Sequence, residues 1–174
     1  TSGVGKVFAY LRSREVSGVK VAIAGLGSGG LAAYCTSGDE FTFFEIDPEV
    51  VALAKKYFTY LDYCPQHQII ISDARLALEQ QQNNKYDLLV IDAYADDMVP
   101  VHLMTTEAIA LYKKLLKPEG ILAIHISSRY LNLLPVTGAV AKDNKMAGRH
   151  WFDHKPQSDT ATPSQWVLLA KDER

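Results

Sequence analysis

Segments of strand character alternate along the chain with segments of helix character. Five apolar or β-branched runs predict strands at residues 20–24, 40–46, 68–71, 87–91 and 121–126. Two later runs, 151–154 and 166–170, predict a closing antiparallel pair. Regular alternation of this kind is the pattern of a parallel sheet covered by helices on both faces. The chain is therefore predicted to form an α/β, Rossmann-like, doubly wound sheet that is mostly parallel and has a C-terminal antiparallel hairpin.

The segments between the strands predict helices. These lie around residues 30–35, from 49 to about 61, from 73 to about 81, over 105–116 and over 133–141. Asp47 followed by Pro48 favours a helix start, because Asp caps the first N–H groups and Pro fits the first turn. Residues 117–120, Lys-Pro-Glu-Gly, predict a turn. Five strand–helix units and a hairpin match the class I methyltransferase type of sheet better than a NAD-binding sheet.

Length and composition indicate one globular domain. The chain has 174 residues, of which 48% are hydrophobic and 22% charged, enough for one sizeable core. Because the predicted strands begin at residue 20, residues 1–19 are interpreted as an N-terminal extension or remnant. Residues 20–174 are interpreted as a nucleotide-binding domain of catalytic type.

Charge and cysteine content narrow the classes of partner. Lys and Arg total 18 against 20 Asp and Glu, so no basic excess exists to bind nucleic acid. No apolar run is long enough to span a bilayer, so this segment is not expected to contact the membrane. Cys35 and Cys64 lack metal-ligand spacing and are interpreted as reduced thiols. We expect a cytoplasmic protein, or the cytoplasmic domain of a longer membrane protein.

A glycine-rich loop and two acids predict an adenosine site. Four glycines lie in the six residues 25–30, GLGSGG, between a predicted strand and a helix, where the backbone can approach a ligand closely. Glu45 follows Gly25 by twenty positions and ends the second strand, where a carboxylate can accept both ribose hydroxyls. Asp73 ends the third strand beside the expected adenine, and it can also cap the following helix. All three features lie at the carboxyl edge of the sheet.

An acidic cluster follows the fourth strand at the same edge. Residues 92–97 read DAYADD, and only Asp92 is fixed by the end of a buried strand. A primary amine has a pKa of about 10, so it is mostly protonated at neutral pH and cannot attack an electrophile until it loses a proton. A positioned carboxylate can bind such an amine and take that proton. A solvated acidic loop is the alternative interpretation.

The motifs together resemble the spermidine synthase family. The resemblance rests on residues 21–30 (VAIAGLGSGG), 44–48 (FEIDP), 72–75 (SDAR) and 86–92 (YDLLVID), and it extends from about residue 20 to 130. A weaker similarity covers residues 163–170 (PSQWVLLA). Residues 100–103 (PVHL) and 128–131 (SRYL) look most similar to bacterial spermidine-synthase-like domains fused to membrane transporter segments.

The resemblance implies an aminopropyltransferase within the S-adenosylmethionine-dependent methyltransferase superfamily. Decarboxylated S-adenosylmethionine, or S-adenosylmethionine, would be held without a metal by Gly25, Gly27, Ser28, Gly29, Glu45, Asp73 and Ala74. A diamine such as putrescine would lie against Asp92, the general base, and Asp96, which matches the family's second aspartate by count back from Pro100. A homodimer is compatible with this interpretation.

Departures from the family pattern keep other functions open. The family has glycine at Leu26, glutamate at Tyr34 and, at Ser28, an acid that helps to hold the amine end of the aminopropyl donor. Residues 1–19 are also too few for the N-terminal β domain that covers the family's active site. A methyltransferase is the first alternative, although most carry an acid at the position of Ile23. A non-catalytic nucleotide- or polyamine-binding module is the second, and a NAD dehydrogenase would leave the acidic cluster unexplained.

The remaining candidates are assigned no role. His102 and His125 are candidate catalytic residues, but a lone histidine is more often structural than catalytic. No His, Cys and Asp group has metal-ligand spacing. Arg75 is a candidate to cap or pair with Asp73, and Arg129 a candidate neighbour of the site.

Overall fold

Seven strands form one sheet in a computed structural model of the chain, in the order β3-β2-β1-β4-β5-β7-β6. The structure describes residues 3–14, 18–83, 85–94, 99–154 and 163–171. The strands are β1 (Lys20–Ala24), β2 (Glu40–Glu45), β3 (His67–Ile71), β4 (Tyr86–Ile91), β5 (Leu116–His125), β6 (Ala147–Asp153) and β7 (Ser164–Ala170).

The strand directions confirm the predicted sheet. Strands β3, β2, β1, β4 and β5 run parallel, and β1 lies inside the sheet between β2 and β4. Strand β7 pairs antiparallel with both β5 and β6, which makes the closing hairpin. The antiparallel end excludes the all-parallel NAD-binding type of sheet.

Five α-helices in the described part of the chain cover the sheet: α1 (Gly3–Ser13), α2 (Pro48–Tyr57), α3 (Ala74–Glu79), α4 (Thr106–Leu115) and α5 (Leu134–Asp143). The Asp47 side chain caps α2 by accepting from the N–H of Glu49, and Pro48 occupies the first turn, as predicted. Residues 1–19 include α1, whose buried residues Val4, Val7, Phe8 and Leu11 recur at helical spacing. That helix packs against β5, β6 and β7.

Two hydrophobic layers lie on opposite faces of the sheet. Along β1, alternate side chains enter different layers, because successive residues of a strand point to opposite faces. Ala22 and Ala24 join the layer that contains α3, α4 and α5. Val21 and Ile23 join the layer that contains α1 and α2. The sheet thereby places the carboxyl ends of β1, β2, β3 and β4 along one rigid edge.

The helix predicted after the glycine loop is present as the 3₁₀ helix Gly30–Tyr34. The turn predicted at residues 117–120 is wrong. Residues 117–120 belong to β5 and do not form a separate turn. Leu116 pairs with Tyr86 and Ile121 pairs with Leu88, so the extra residues are taken up as an irregularity within the strand.

The expectation of two reduced cysteines is also wrong. Cys35 and Cys64 form a disulfide, with their Cα atoms 5.3 Å apart. The disulfide depends on tertiary packing that the sequence pattern does not show. Two 3₁₀ helices, Gly30–Tyr34 and Tyr60–Tyr63, pack side by side, and each cysteine directly follows one of them. The disulfide therefore joins the segment after the glycine loop to the segment before β3.

Within the described residues, every helix is too short or too polar to cross a bilayer.

Candidate active site

A cavity of about 840 Å³ opens at the carboxyl edge of the sheet. Its volume is typical of small-molecule sites, and open α/β sheets bind ligands at this edge. Four segments form its walls: the glycine loop, the ends of β2 and β3, the end of β4, and residues 100–103.

Gly25 allows the glycine loop to lie directly against the end of β4. Its N–H donates to the carbonyl oxygen of Phe44 at 2.8 Å, and the N–H of Asp92 donates to the carbonyl oxygen of Ala24 at 2.9 Å. A Cβ atom at position 25 would lie 2.5 Å from the carbonyl oxygen of Asp92, and the φ angle of +97° disfavours any side chain. A glycine here is therefore required for the loop to approach Asp92.

Glu45 ties the glycine loop to the end of β2. Its Oε2 accepts from the N–H of Leu26 at 2.9 Å, and its Oε1 accepts from the N–H of Asp47 at 3.0 Å. The side chain lines the cavity although the residue is only 9% exposed. Each carboxylate oxygen can accept more than one hydrogen bond, so both retain capacity for a ligand hydroxyl.

Asp73 caps α3 and also pairs with a histidine at the cavity wall. Its Oδ1 accepts from the N–H of Leu76 at 3.0 Å, and its Oδ2 lies 3.0 Å from Nε2 of His102. Burial by itself would raise the pKa of Asp73, but the hydrogen bonds from Leu76 and His102 outweigh it and lower the pKa. The carboxylate is thus held in its charged form. The Arg75 backbone also hydrogen-bonds Asp73, whereas its guanidinium donates to the carbonyl oxygen of His102 and contacts Glu79.

Asp92 lines the opposite wall and pairs with His125. The distance between Asp92 Oδ1 and His125 Nδ1 is 2.7 Å. Tyr94 lies beside this pair and donates from its hydroxyl to the carbonyl oxygen of His125 at 3.1 Å. Burial raises the pKa of the Tyr94 phenol, and the negative charge of Asp92 raises it further. Tyr94 therefore stays protonated and can act as a hydrogen-bond donor.

Most of the predicted site residues meet at this cavity. It is lined by Gly25, Gly27, Ser28, Glu45, Asp73, Ala74 and Asp92. Gly29 does not line it, because a Cβ atom at that position would point toward the Leu61 side chain, 3.2 Å away. Asp96 lies outside the described residues.

The cavity wall is anionic. Four carboxylates line it, from Glu45, Asp47, Asp73 and Asp92, whereas the described lining residues include no lysine or arginine. Closely placed carboxylates in a partly enclosed site attract cations and disfavour anions. No group of three or more His, Cys, Asp or Glu side chains in the described part of the chain is arranged to hold a metal ion.

The contacts of two histidines could not be read from spacing alone. His102 reaches Asp73 across 29 positions, and His125 reaches Asp92 across 33. The signal for the second pair is the parallel register: Ile91 of β4 pairs with Ile124 of β5, so the next residues along the two strands, Asp92 and His125, lie beside each other. Correct alignment of two predicted strands would have brought His125 to Asp92.

The parallel sheet with its closing hairpin and the cavity at the strand ends define a class I methyltransferase-type domain. A family model described as the spermine/spermidine synthase domain matches residues 13–146. The chain belongs to the spermine/spermidine synthase family.

Curated relatives include both aminopropyltransferases and a methyltransferase. A polyamine aminopropyltransferase of Vibrio vulnificus is 30% identical over 63% of this chain, and one of Desulforudis audaxviator is 28% identical over 76%. An N-terminal histidine N-methyltransferase of Emericella nidulans is 35% identical over 64% of this chain. The matched regions cover 38%, 51% and 20% of those proteins respectively, so the chain spans about half or less of each.

Solved structures share the fold at low identity. Spermidine synthase from Thermotoga maritima aligns with a TM-score of 0.69 at 18% identity, over 91% of this chain and 55% of that one. A spermidine synthase in complex with the transition-state analogue AdoDATO aligns with a TM-score of 0.73 at 18% identity, over 90% of this chain and 56% of that one. Human methyltransferase-like protein 13 in complex with SAH aligns with a TM-score of 0.67 at 17% identity, over 90% of this chain and 72% of that one. These likenesses show the fold.

Proposed function

We propose that this domain transfers an aminopropyl group from decarboxylated S-adenosylmethionine to a diamine such as putrescine. The observation that carries the proposal is the anionic cavity beside the glycine loop, with Asp92 at the end of β4. Both proposed substrates are cations, one through its sulfonium and amine and the other through its two ammonium groups. A site with four carboxylates and no lysine or arginine among its described lining residues suits that pair.

The donor would lie along the glycine loop. Glu45 would accept the ribose hydroxyls, while Asp73 and the backbone of Ala74 would bind the adenine. The loop residues Gly25, Gly27 and Ser28, which line the cavity, would let the backbone approach the remainder of the donor. Ile46 lines the same cavity and is 67% exposed, which leaves an apolar surface for a purine ring.

Asp92 would act on the attacking amine. The ammonium group gives a proton to the Asp92 carboxylate, and the nitrogen lone pair then attacks the carbon next to the sulfonium. The carbon–sulfur bond breaks as the carbon–nitrogen bond forms, and its electron pair stays on sulfur. The products are the longer polyamine and methylthioadenosine.

Product analysis tests the proposal directly. The protein is incubated with putrescine and either decarboxylated S-adenosylmethionine or S-adenosylmethionine, and the polyamine and thioether products are identified by mass spectrometry. Calorimetry with the two donors and with methylthioadenosine runs in parallel. We expect spermidine and methylthioadenosine from the decarboxylated donor. Nucleotide binding without any product would instead indicate a non-catalytic sensing module.

Methyl transfer from S-adenosylmethionine is the second candidate. The N-methyltransferase relative supports it, as does Ser28, a cavity residue that places no negative charge where a donor carboxylate would lie. A methylated acceptor together with S-adenosylhomocysteine would establish this activity in place of aminopropyl transfer.

Glu45→Ala is expected to weaken methylthioadenosine binding about tenfold or more. A hydrogen bond to a charged group contributes about 1.5–3 kcal/mol, and 1.4 kcal/mol corresponds to a tenfold change in Kd. Calorimetry measures the change, with Glu49→Ala as the matched control because Glu49 is exposed and does not line the cavity. Since Glu45 also holds the glycine loop, the melting temperature of each variant is recorded. Unchanged affinity in a folded Glu45→Ala protein would remove Glu45 from the site.

Asp96→Asn is expected to raise the KM for the amine several-fold while leaving kcat nearly unchanged. We infer from the sequence that Asp96 holds the cationic acceptor, which is binding shared by the ground state and the transition state. Steady-state kinetics measures both constants, and Asp97→Asn is the adjacent control. An equal effect of the two substitutions, or a fall in kcat alone, would contradict the assigned role.

A further inference from the structure

Asp92 and His125 are brought together by the sheet itself. Strands β4 and β5 run parallel with Ile91 opposite Ile124, so Asp92, directly after β4, lies beside His125, the last residue of β5. Their side chains meet at 2.7 Å between Oδ1 and Nδ1. The contact therefore depends on two rigid strands, which is the arrangement that fixes a functional group most accurately.

The neighbouring hydrogen bonds assign a direction to the contact. His125 Nε2 lies 2.8 Å from Ser127 Oγ, and that oxygen accepts from the N–H of Gln165 at 2.8 Å. With one lone pair engaged by Gln165, the Ser127 hydroxyl can donate its own proton to Nε2. An ionised carboxylate can only accept, so the proton of the 2.7 Å contact lies on Nδ1 and is donated to Asp92, and a neutral imidazole then accepts the Ser127 proton at Nε2.

The imidazole ring is also held in place by aromatic side chains. It stacks on Trp166 with 4.4 Å between ring centroids and 7° between planes. The Tyr94 ring meets it edge-on at 5.1 Å, and the Tyr94 hydroxyl binds the His125 carbonyl oxygen. Tilting the ring would break its contacts with Trp166 and Tyr94, and a 180° flip would break the hydrogen bonds to Asp92 and Ser127, so Nδ1 has a fixed position.

We propose that His125 is the positioning residue of Asp92. Its Nδ1–H occupies Oδ1 and fixes the plane of the carboxylate, which leaves Oδ2 without a hydrogen-bond partner among the described residues and available to the cavity that Asp92 lines. The inference rests on the proposed function, in which that oxygen receives the proton of the amine. His125 touches neither substrate; it acts through Asp92.

Nitrogen NMR tests the geometry without any assay of activity. The chain contains five histidines, so His125 is assigned by the signal that disappears in His125→Asn. We expect the neutral Nδ1–H tautomer, with an Nδ1 proton shift that changes in Asp92→Ala and an Nε2 shift that changes in Ser127→Ala. An Nε2–H tautomer, or an Nδ1 proton that does not respond to Asp92→Ala, would overturn the proposal.

Two amide substitutions separate positioning from proton transfer. His125→Ala is expected to lower kcat about 10- to 100-fold with little change in the KM for the amine, because a misplaced catalytic group costs up to about that factor. In His125→Asn the amide nitrogen takes the place of Nδ1 and can still donate to Asp92, so kcat should recover to within about fivefold of the wild type. In His125→Gln the amide nitrogen takes the place of Nε2, and no recovery is expected.

The outcomes distinguish this proposal from the one on which it rests. If His125→Asn is as slow as His125→Ala while both remain folded, the imidazole itself carries the proton and the positioning role is wrong. If the wild type transfers no aminopropyl group, the proposed function fails, and the nitrogen spectra alone decide whether His125 donates to Asp92. Methylthioadenosine affinity should be unchanged in all three variants, since His125 does not line the cavity.

Discussion

Asp92→Asn is expected to lower the kcat of aminopropyl transfer by about 10²–10⁴, the usual range for loss of a general base. Asparagine keeps an oxygen that can accept from His125 Nδ1, so the wall of the cavity should be preserved. Its amide cannot take a proton from an ammonium group. The substitution therefore removes the proposed chemistry while it retains the shape and the principal contact of the residue.

Kinetics and binding together make the test specific. Single-turnover rates with saturating donor and diamine report the chemical step, and methylthioadenosine affinity reports the integrity of the site. Asp62→Asn is the control, because Asp62 is exposed and outside the cavity. A kcat within about threefold of the wild type would exclude Asp92 as the base. A large loss of methylthioadenosine affinity would instead place Asp92 in donor binding.

The prediction also separates the two candidate reactions. If the protein methylates an acceptor from S-adenosylmethionine, the same substitution can be measured in that reaction. An effect of Asp92→Asn on methyl transfer alone would assign the carboxylate to a different nucleophile. The contrast matters because the proteins similar to this chain include both aminopropyltransferases and an N-methyltransferase.

The sheet and the acids at its edge could be predicted because both depend on local pattern. Apolar runs and helix signals locate the strands and indicate that most of them run parallel, with an antiparallel pair at the end. Glu45, Asp73 and Asp92 each follow a strand, and the carboxyl ends of parallel strands necessarily meet at one edge. The cavity that contains these three side chains was therefore accessible to sequence reasoning.

The contacts that were missed depend on distances between elements. The Asp92–His125 pair needs the register of β4 against β5, and the Cys35–Cys64 disulfide needs two 3₁₀ helices to pack side by side. Hydrophobic periodicity sets neither, because it specifies which face of an element is buried and not how far one element slides along another. Helix α1 was missed although Val4, Val7, Phe8 and Leu11 recur at helical spacing, which is a local signal.

Asp39 anchors α1 to the rest of the domain, and Asp39→Ala is expected to destabilise the fold by about 3–5 kcal/mol. The side chain of Asp39 is 1% exposed and forms an ion pair with Arg12 of α1. Its oxygens also accept from the N–H groups of Val19 and Thr36, and Arg12 donates in addition to the carbonyl oxygen of Tyr34. Removing one partner of a buried pair costs this much because the groups left behind lose their hydrogen bonds.

Urea unfolding measures the effect, and Asp62→Ala is the exposed control, for which we expect a change below about 0.5 kcal/mol. Asp39→Asn is expected to lower the free energy of unfolding by an intermediate amount, because it keeps one acceptor oxygen and loses the charge. A loss below about 1 kcal/mol in Asp39→Ala would show that α1 is not coupled to the domain through this pair.

The pH dependence supplies an independent check on the same ion pair. Burial alone would raise the pKa of Asp39, but the hydrogen bonds from Arg12, Thr36 and Val19 outweigh it and lower the pKa. A carboxyl whose pKa is lower in the folded state stabilises the fold fully above its unfolded pKa of about 3.9, and this contribution is lost as the pH falls through the folded pKa. The stability difference between wild type and Asp39→Asn should therefore be full at pH 7 and shrink below about pH 4. A difference that stays constant down to pH 2 would assign the stabilisation to hydrogen bonding independent of charge.

Arg12 also donates to the carbonyl oxygen of Tyr34, which lies after the glycine loop and directly before Cys35. Loss of the Arg12–Asp39 ion pair should therefore lower methylthioadenosine affinity as well as stability.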